Sequence, residues 1–189
     1  AWGSSSFGKT DVPVGLNDVV QISANSASTV AVKSDGTVVA WGWDIYGQVS
    51  GASDQTNITQ VSVGRYDVLA RKSDGTVIAW GSNRSGSTDV PVDLSGATAV
   101  AAGADTSYAL LSDGTVRSWG LEVSTCAFPV FGQCPGFTPT VYTPPVGLSG
   151  VTAIDADLGH ALAIHTIESS AQEITFGSLA NKLASAGDF

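Results

Sequence analysis

The chain is short of basic charge, of sulfur and of imidazole. Its 189 residues hold 8 Lys+Arg against 17 Asp+Glu, for a formal net charge of −9. That balance disfavours a nucleic-acid partner, because phosphate binding needs a basic footprint. No apolar run approaches the ~18–20 residues that span a bilayer, which argues against membrane insertion. Met is absent altogether, even at position 1. With no basic leader either, the sequence reads as a processed or excised piece of a longer product. Two cysteines are too few for a disulfide-dense miniprotein, and composition also excludes collagen and coiled coil. The apolar share, 43%, is too high for a disordered chain and suffices for one sizeable core. Gly is plentiful, at 22 residues, and punctuates the sequence at regular intervals.

That regularity is the strongest signal. Trp2, Trp41, Trp80 and Trp119 are spaced by 39 residues, each followed by Gly. Ser34-Asp35-Gly36-Thr37 returns with the same spacing at Ser73 and at Ser112. Asp11-Val12-Pro13-Val14 returns two periods later at Asp89. A fixed period near 40 with a Trp-Gly signature marks repeated supersecondary units. Within a unit, β-branched runs such as Val19 to Ile22 and Thr29 to Val32 predict strands A and B. Asp35-Gly36 predicts the tight turn into strand C, Thr37 to Trp41, because Gly accepts positive φ without a Cβ clash. The Val12-Pro13-Val14 segment and its equivalents are expected to form a fourth, edge strand D. Four-stranded antiparallel units at this period predict an all-β propeller.

The run from Val100 through Tyr108 to Ser112-Asp113-Gly114-Thr115-Val116-Arg117-Ser118-Trp119-Gly120 resembles the repeat of the RCC1 (regulator of chromosome condensation) family. The resemblance covers residues 1–165 and implies an RCC1-like β-propeller. The Trp-Gly strand followed by Thr-Asp-Val-Pro-Val looks most like secreted bacterial members, including the β-lactamase inhibitory protein II type. The sequence holds four blades' worth of strands, three whole blades and two complementary halves. A ring could close as a four-bladed monomer, as a head-to-tail homodimer of eight blades, or with missing sequence that supplies the rest, as in the seven-bladed family members; the homodimer is preferred over the four-bladed monomer, because blades shaped for ~51° tolerate ~45° better than ~90°.

Two departures break the pattern. An insert of 15 residues falls within 121–145 and carries Cys126 and Cys134. Paired, they would staple a hairpin bearing Phe128 and Phe131 and point to an oxidising compartment. The Asp-Gly turn is also missing after the last B strand, where His165-Thr166-Ile167-Glu168 stands. Residues 166–189 read as a linker; Glu173-Ile174-Thr175-Phe176-Gly177 resembles the opening of immunoglobulin-like repeats in bacterial surface proteins. These features place the chain as secreted or at the cell surface.

Strand alternation puts the A–B and C–D turns on one rim and the Asp-Gly turns on the other. The first rim carries Trp43, Tyr46, Arg65, Tyr66, Asp67, Arg84 and Asp105, the expected binding residues for a protein or other macromolecule. The resemblance to the inhibitory proteins implies the same face. Catalytic signatures are poor. His160 is a weak general-base candidate, and Asp155, Asp157 and His160 form a weak metal-ligand candidate. No cofactor motif is present. The reading is a binding module; a hydrolase or lyase with its site on that rim or in the central channel, and an architectural spacer, are the alternatives.

Overall fold

A computed structural model describes residues 1–25, 28–120, 143–157 and 160–166. The staple, the two Phe of the insert and the terminal segment from 167 lie outside them. Eleven strands are present among the described residues, all antiparallel to their neighbours. Strands β1 (Val19–Asn25), β2 (Ser28–Lys33) and β3 (Val38–Gly42) form the first sheet. The second holds β4 (Ile58–Val63), β5 (Asp67–Lys72) and β6 (Val77–Gly81). The third holds β7 (Ala97–Ala102), β8 (Thr106–Leu111) and β9 (Val116–Gly120). The fourth is the hairpin β10 (Val151–Asp157) with β11 (His160–His165). Among the described residues no helix is long and apolar enough to cross a membrane.

The first three sheets have three strands each and the fourth has two, and the expected strand D does not form among the described residues. The Val12-Pro13-Val14 segment closes local turns instead: Val12 N–H donates to Thr10 O at 3.0 Å and Leu16 N–H to Pro13 O at 3.2 Å. Val90 and Leu94 repeat this at 3.0 Å each, and Leu148 donates to Pro145. The physical reason is that proline offers no ladder donor, while Val14, Val92 and Val146 point fully into solvent. In the second unit the same place is a short 3-10 turn, Ser50–Ala52.

The B–C turns form as Asp-Gly chemistry dictates. Gly36 takes φ +78, and the carboxylates of Asp35, Asp74 and Asp113 each accept the amide of the Thr two residues on at 2.9 Å. The turns also join the sheets. The carbonyls of Gly36, Gly75 and Gly114 accept the amides of Ile58, Ala97 and Val151, which open the next sheet, at 3.0, 3.1 and 3.0 Å.

The core lies between successive sheets. Val30, Val32 and Val38 of the first sheet pack against Ile58, Val61 and Val68 of the second. Leu69 and Val77 of the second pack against Ala97, Val100 and Ala109 of the third. Every sheet therefore has a trailing face that meets the leading face of the next. Side chains on β4 tie the second sheet to the third: Val100 N–H donates to Gln60 Oε1 (3.0 Å) and Ala102 N–H to Ser62 Oγ (2.9 Å). Gln21 and Ser23 do the same from the first sheet to the second. The result is an all-β array of antiparallel sheets in a propeller-blade arrangement. Closure into a ring is not seen among the described residues.

Candidate functional site

The A–B and C–D turns share one rim, and the structure gathers an aromatic cluster there. Trp43 leaves the end of β3, just after Gly42. Its ring centre lies 6.2 Å from Tyr46 and 6.0 Å from Tyr66, in edge-on arrangements, and Tyr46 and Tyr66 are 5.1 Å apart. Phe7 stacks on Trp43 at 5.1 Å and 23°. The Arg65 guanidinium sits 5.0 Å from the centre of the Tyr66 ring. Such pairs and the cation–π contact each add favourable energy beyond simple burial.

The loop geometry holds these rings in place. Asp44 accepts the amides of Val49 at 2.7 Å and Ser50 at 3.0 Å, closing the turn around Tyr46. Burial raises the Asp44 pKa, but the main-chain amides of Ser50 and Val49 more than offset it, so the group stays below its ordinary value. Tyr46 N–H donates to the side chain of buried Gln48 at 2.9 Å, and the Gln48 carbonyl accepts the Trp80 indole at 3.0 Å. Across the cluster, Ser82 N–H fixes the Tyr66 carbonyl at 2.9 Å.

Of the residues expected on this rim, Trp43, Tyr46, Arg65 and Tyr66 come together, all half-buried. Arg84 stands exposed on the corresponding turn of the second sheet, and Asp105 is half-buried at the repeat position of Tyr66. Asp67 is different. It is 3% exposed and turned inward, so it is not a contact residue in this conformation. Burial pushes its pKa up to about 6, with hydrogen bonding from Ser87 opposing and the Asp105 charge reinforcing the rise. Its Oδ1 has no hydrogen-bond partner. That oxygen lies against Gly64, where an added Cβ would meet it at 2.2 Å.

Phe7 was not among the expected residues. It is 63% exposed and adopts φ 61. The signal for it was the period: Phe7-Gly8 stands 39 residues before Tyr46-Gly47. Asp155 and Asp157 lie on β10; Asp157 pairs with His160 across the hairpin, while Asp155 pairs with Leu162. Among the described residues no group of three His, Cys, Asp or Glu side chains is placed to hold a metal. The rim offers aromatic faces and a cation.

Comparison with known proteins bears on this geometry. Residues 19–48, 58–87 and 97–124 match the regulator of chromosome condensation (RCC1) repeat. No curated protein matches the sequence. Among solved structures, Prp20p of Saccharomyces cerevisiae is similar at 14% identity and a TM-score of 0.64, over 88% of this chain and 52% of that one. Yeast RCC1 (Prp20) bound to Kap60 gives 17% and 0.61, over 82% and 43%. Human WBSCR16 gives 21% and 0.57, over 77% and 45%. The chain thus spans about half the length of these proteins, and the likeness shows an RCC1-repeat propeller-type fold.

Three expectations are corrected by these matches. The natural proteins matched are eukaryotic, not bacterial members of the β-lactamase inhibitory protein II type. The secreted or cell-surface location rested on that bacterial likeness and goes with it. The disulfide, read from the short spacing of Cys126 and Cys134, is not supported: no disulfide is found among the described residues, and both cysteines lie outside them.

Proposed function

We propose that the chain is a protein-binding propeller module and that its partner docks on the rim carrying Trp43, Tyr46, Arg65 and Tyr66. The observation that carries this reading is the cluster itself. Half-buried aromatic rings and an arginine, braced by main-chain hydrogen bonds, hold the residue types that dominate binding energy at protein interfaces. Their rotamers are already fixed, so little ordering cost falls on association. Phe7, stacked on Trp43, and Ile45 are exposed apolar residues of the same turns. Fold analogy supports the class of partner: yeast RCC1 has been solved with Kap60 bound, and Prp20p has been studied for binding to Gsp1p and histones. No observation among the described residues favours the hydrolase or lyase reading.

The test is a titration of the chain with Kap60, Gsp1p and histones. Binding by at least one is expected, with Trp43→Ala or Tyr66→Ala weakening it tenfold or more, about 1.4 kcal/mol and above. Unchanged affinity in both variants would refute the site.

A further inference from the structure

At the aromatic rim, the first two junctions between sheets are closed differently. Asn25, the last residue of β1, reaches the second sheet, where its Nδ2 donates to Val63 O at 3.3 Å. One repeat later the same position is Gly64, which has no side chain to reach with. The carboxyl of Asp67 takes that space instead. A Cβ added to Gly64 would overlap Asp67 Oδ1 and would stand 2.7 Å from Gly103 O, which belongs to the matching turn of the third sheet. A side-chain oxygen of one sheet and a main-chain oxygen of the next therefore crowd one spot.

Two acceptors in one spot need something between them. Asp67 is 3% exposed, and its Oδ1 has no hydrogen-bond partner among the described residues. Gly64 and Gly103 beside it are buried too. The groups packed around the carboxyl bring no positive charge to it. Asp105, on the turn of the third sheet, adds negative charge. Ser87, after β6, offers a hydroxyl, and the amides of Tyr66 and of Asp67 itself approach from its own turn. Arg65, on that turn, lies over the Tyr66 ring. Tyr108 of β8 has its ring edge 3.9 Å from where a Gly103 Cβ would stand, and burial pushes its phenol up, so it stays neutral. Asp157 of β10 brings a carbonyl to the same glycine.

We infer that Asp67 is protonated in the closed fold, donates from Oδ1 to Gly103 O, and so latches the turn that carries Tyr66 to the third sheet, with binding at the rim weakened when the proton leaves to solvent. The raised pKa of Asp67, about 6, agrees with such a donor. Without the proton, a carboxylate is left buried beside Asp105 and a carbonyl, and moving it out to water is the cheapest relief. Tyr66 is the adjacent residue, so that movement draws its ring away from Trp43 and Tyr46. Asp67 is thus a positioning residue for the rim and makes no contact with the partner. Its control of binding rests on the docking site proposed above; the latch itself does not.

NMR of the full chain reads the latch directly. The Asp67 carboxyl carbon is expected to titrate with a midpoint of about pH 6, and the Gly103 carbonyl carbon to shift with the same midpoint. Amide exchange at residues 64–67, corrected for the intrinsic rate, is expected to be faster at pH 7 than at pH 5. Asp67→Asn keeps a donor and cannot lose it, so its exchange there should match the pH 5 protein at both pH values. Affinity for whichever of Kap60, Gsp1p or histones binds the chain should fall about fivefold or more from pH 5 to pH 7, relative to Asp67→Asn, which cancels the partner's own titration. An Asp67 carboxyl that titrates at the ordinary carboxylate value, or a Gly103 carbonyl that ignores it, overturns the latch. An Asp67 signal that moves when calcium is added at pH 7 overturns it too, because a cation then stands in the place of the proton. A latch that titrates while both chains share one pH dependence of affinity overturns its control of binding. Failure of the docking site shows differently, as unchanged affinity in Trp43→Ala and Tyr66→Ala at either pH.

Discussion

Ser28, Asp67, Thr106 and His160 share one repeat position, the first residue of each second strand. A hydroxyl is satisfied there at little cost, but a carboxylate is not. Asp67 is buried with one oxygen unpartnered, and its pKa rises from 3.8 to about 6. The folded state therefore holds this proton more tightly than the unfolded chain. Its contribution is fully present below about pH 4 and is lost as pH rises through about 6, a fall of about 3 kcal/mol across that window. Asp67→Asn should remove this slope and stabilise the protein at pH 7, read from urea unfolding of both chains at pH 4 and pH 7. Equal pH slopes would contradict the burial argument. The sequence showed an acidic residue on a rim turn but could not show which way it faced. Trp43, Tyr46 and Tyr66 were legible because the turn sequences depart from the repeat, and Phe7 was legible only to a reading that extended the period from Tyr46.

At the scale of the element, the repeat made the strands readable. Asp35-Gly36 and its copies fix the B–C turn, and the β-branched runs on either side fill β2, β3 and their equivalents. The fourth strand failed because an alternating apolar pattern around a proline satisfies a turn as well as an edge. Only the hydrogen-bond partners of Leu16 and Leu94 separate the two. The ties between sheets were not legible either, since Gln60 reads as an ordinary polar residue on a strand. Its amide both donates to Val100 O at 3.3 Å and accepts from Val100 N. Gln60→Ala is expected to cost about 1–2 kcal/mol, measured by chemical denaturation, with faster amide exchange at Val100. Ala99 and Ala101 hold the Gln60 and Ser62 positions in the third sheet, so these side-chain ties are not repeated from β7 to β10.

At the scale of the molecule, four sheets stacked front to back leave two loop rims with different characters. One is regular: Asp35, Asp74 and Asp113 each accept the amide of their own turn, and Asp35 also pairs with Lys33 at 3.4 Å. The other varies from sheet to sheet and carries the aromatic cluster. Variation on a fixed scaffold is how propellers and other repeat folds place binding surfaces. The two rims also give the most direct measurement. Hydrogen exchange of the chain, alone and saturated with whichever of Kap60, Gsp1p or histones binds it, reads both at once. The account predicts slowed exchange at residues 43–49 and 64–67, with residues 34–37, 73–76 and 112–115 unchanged. Protection of the Asp-Gly turns with the aromatic rim unaffected would contradict it.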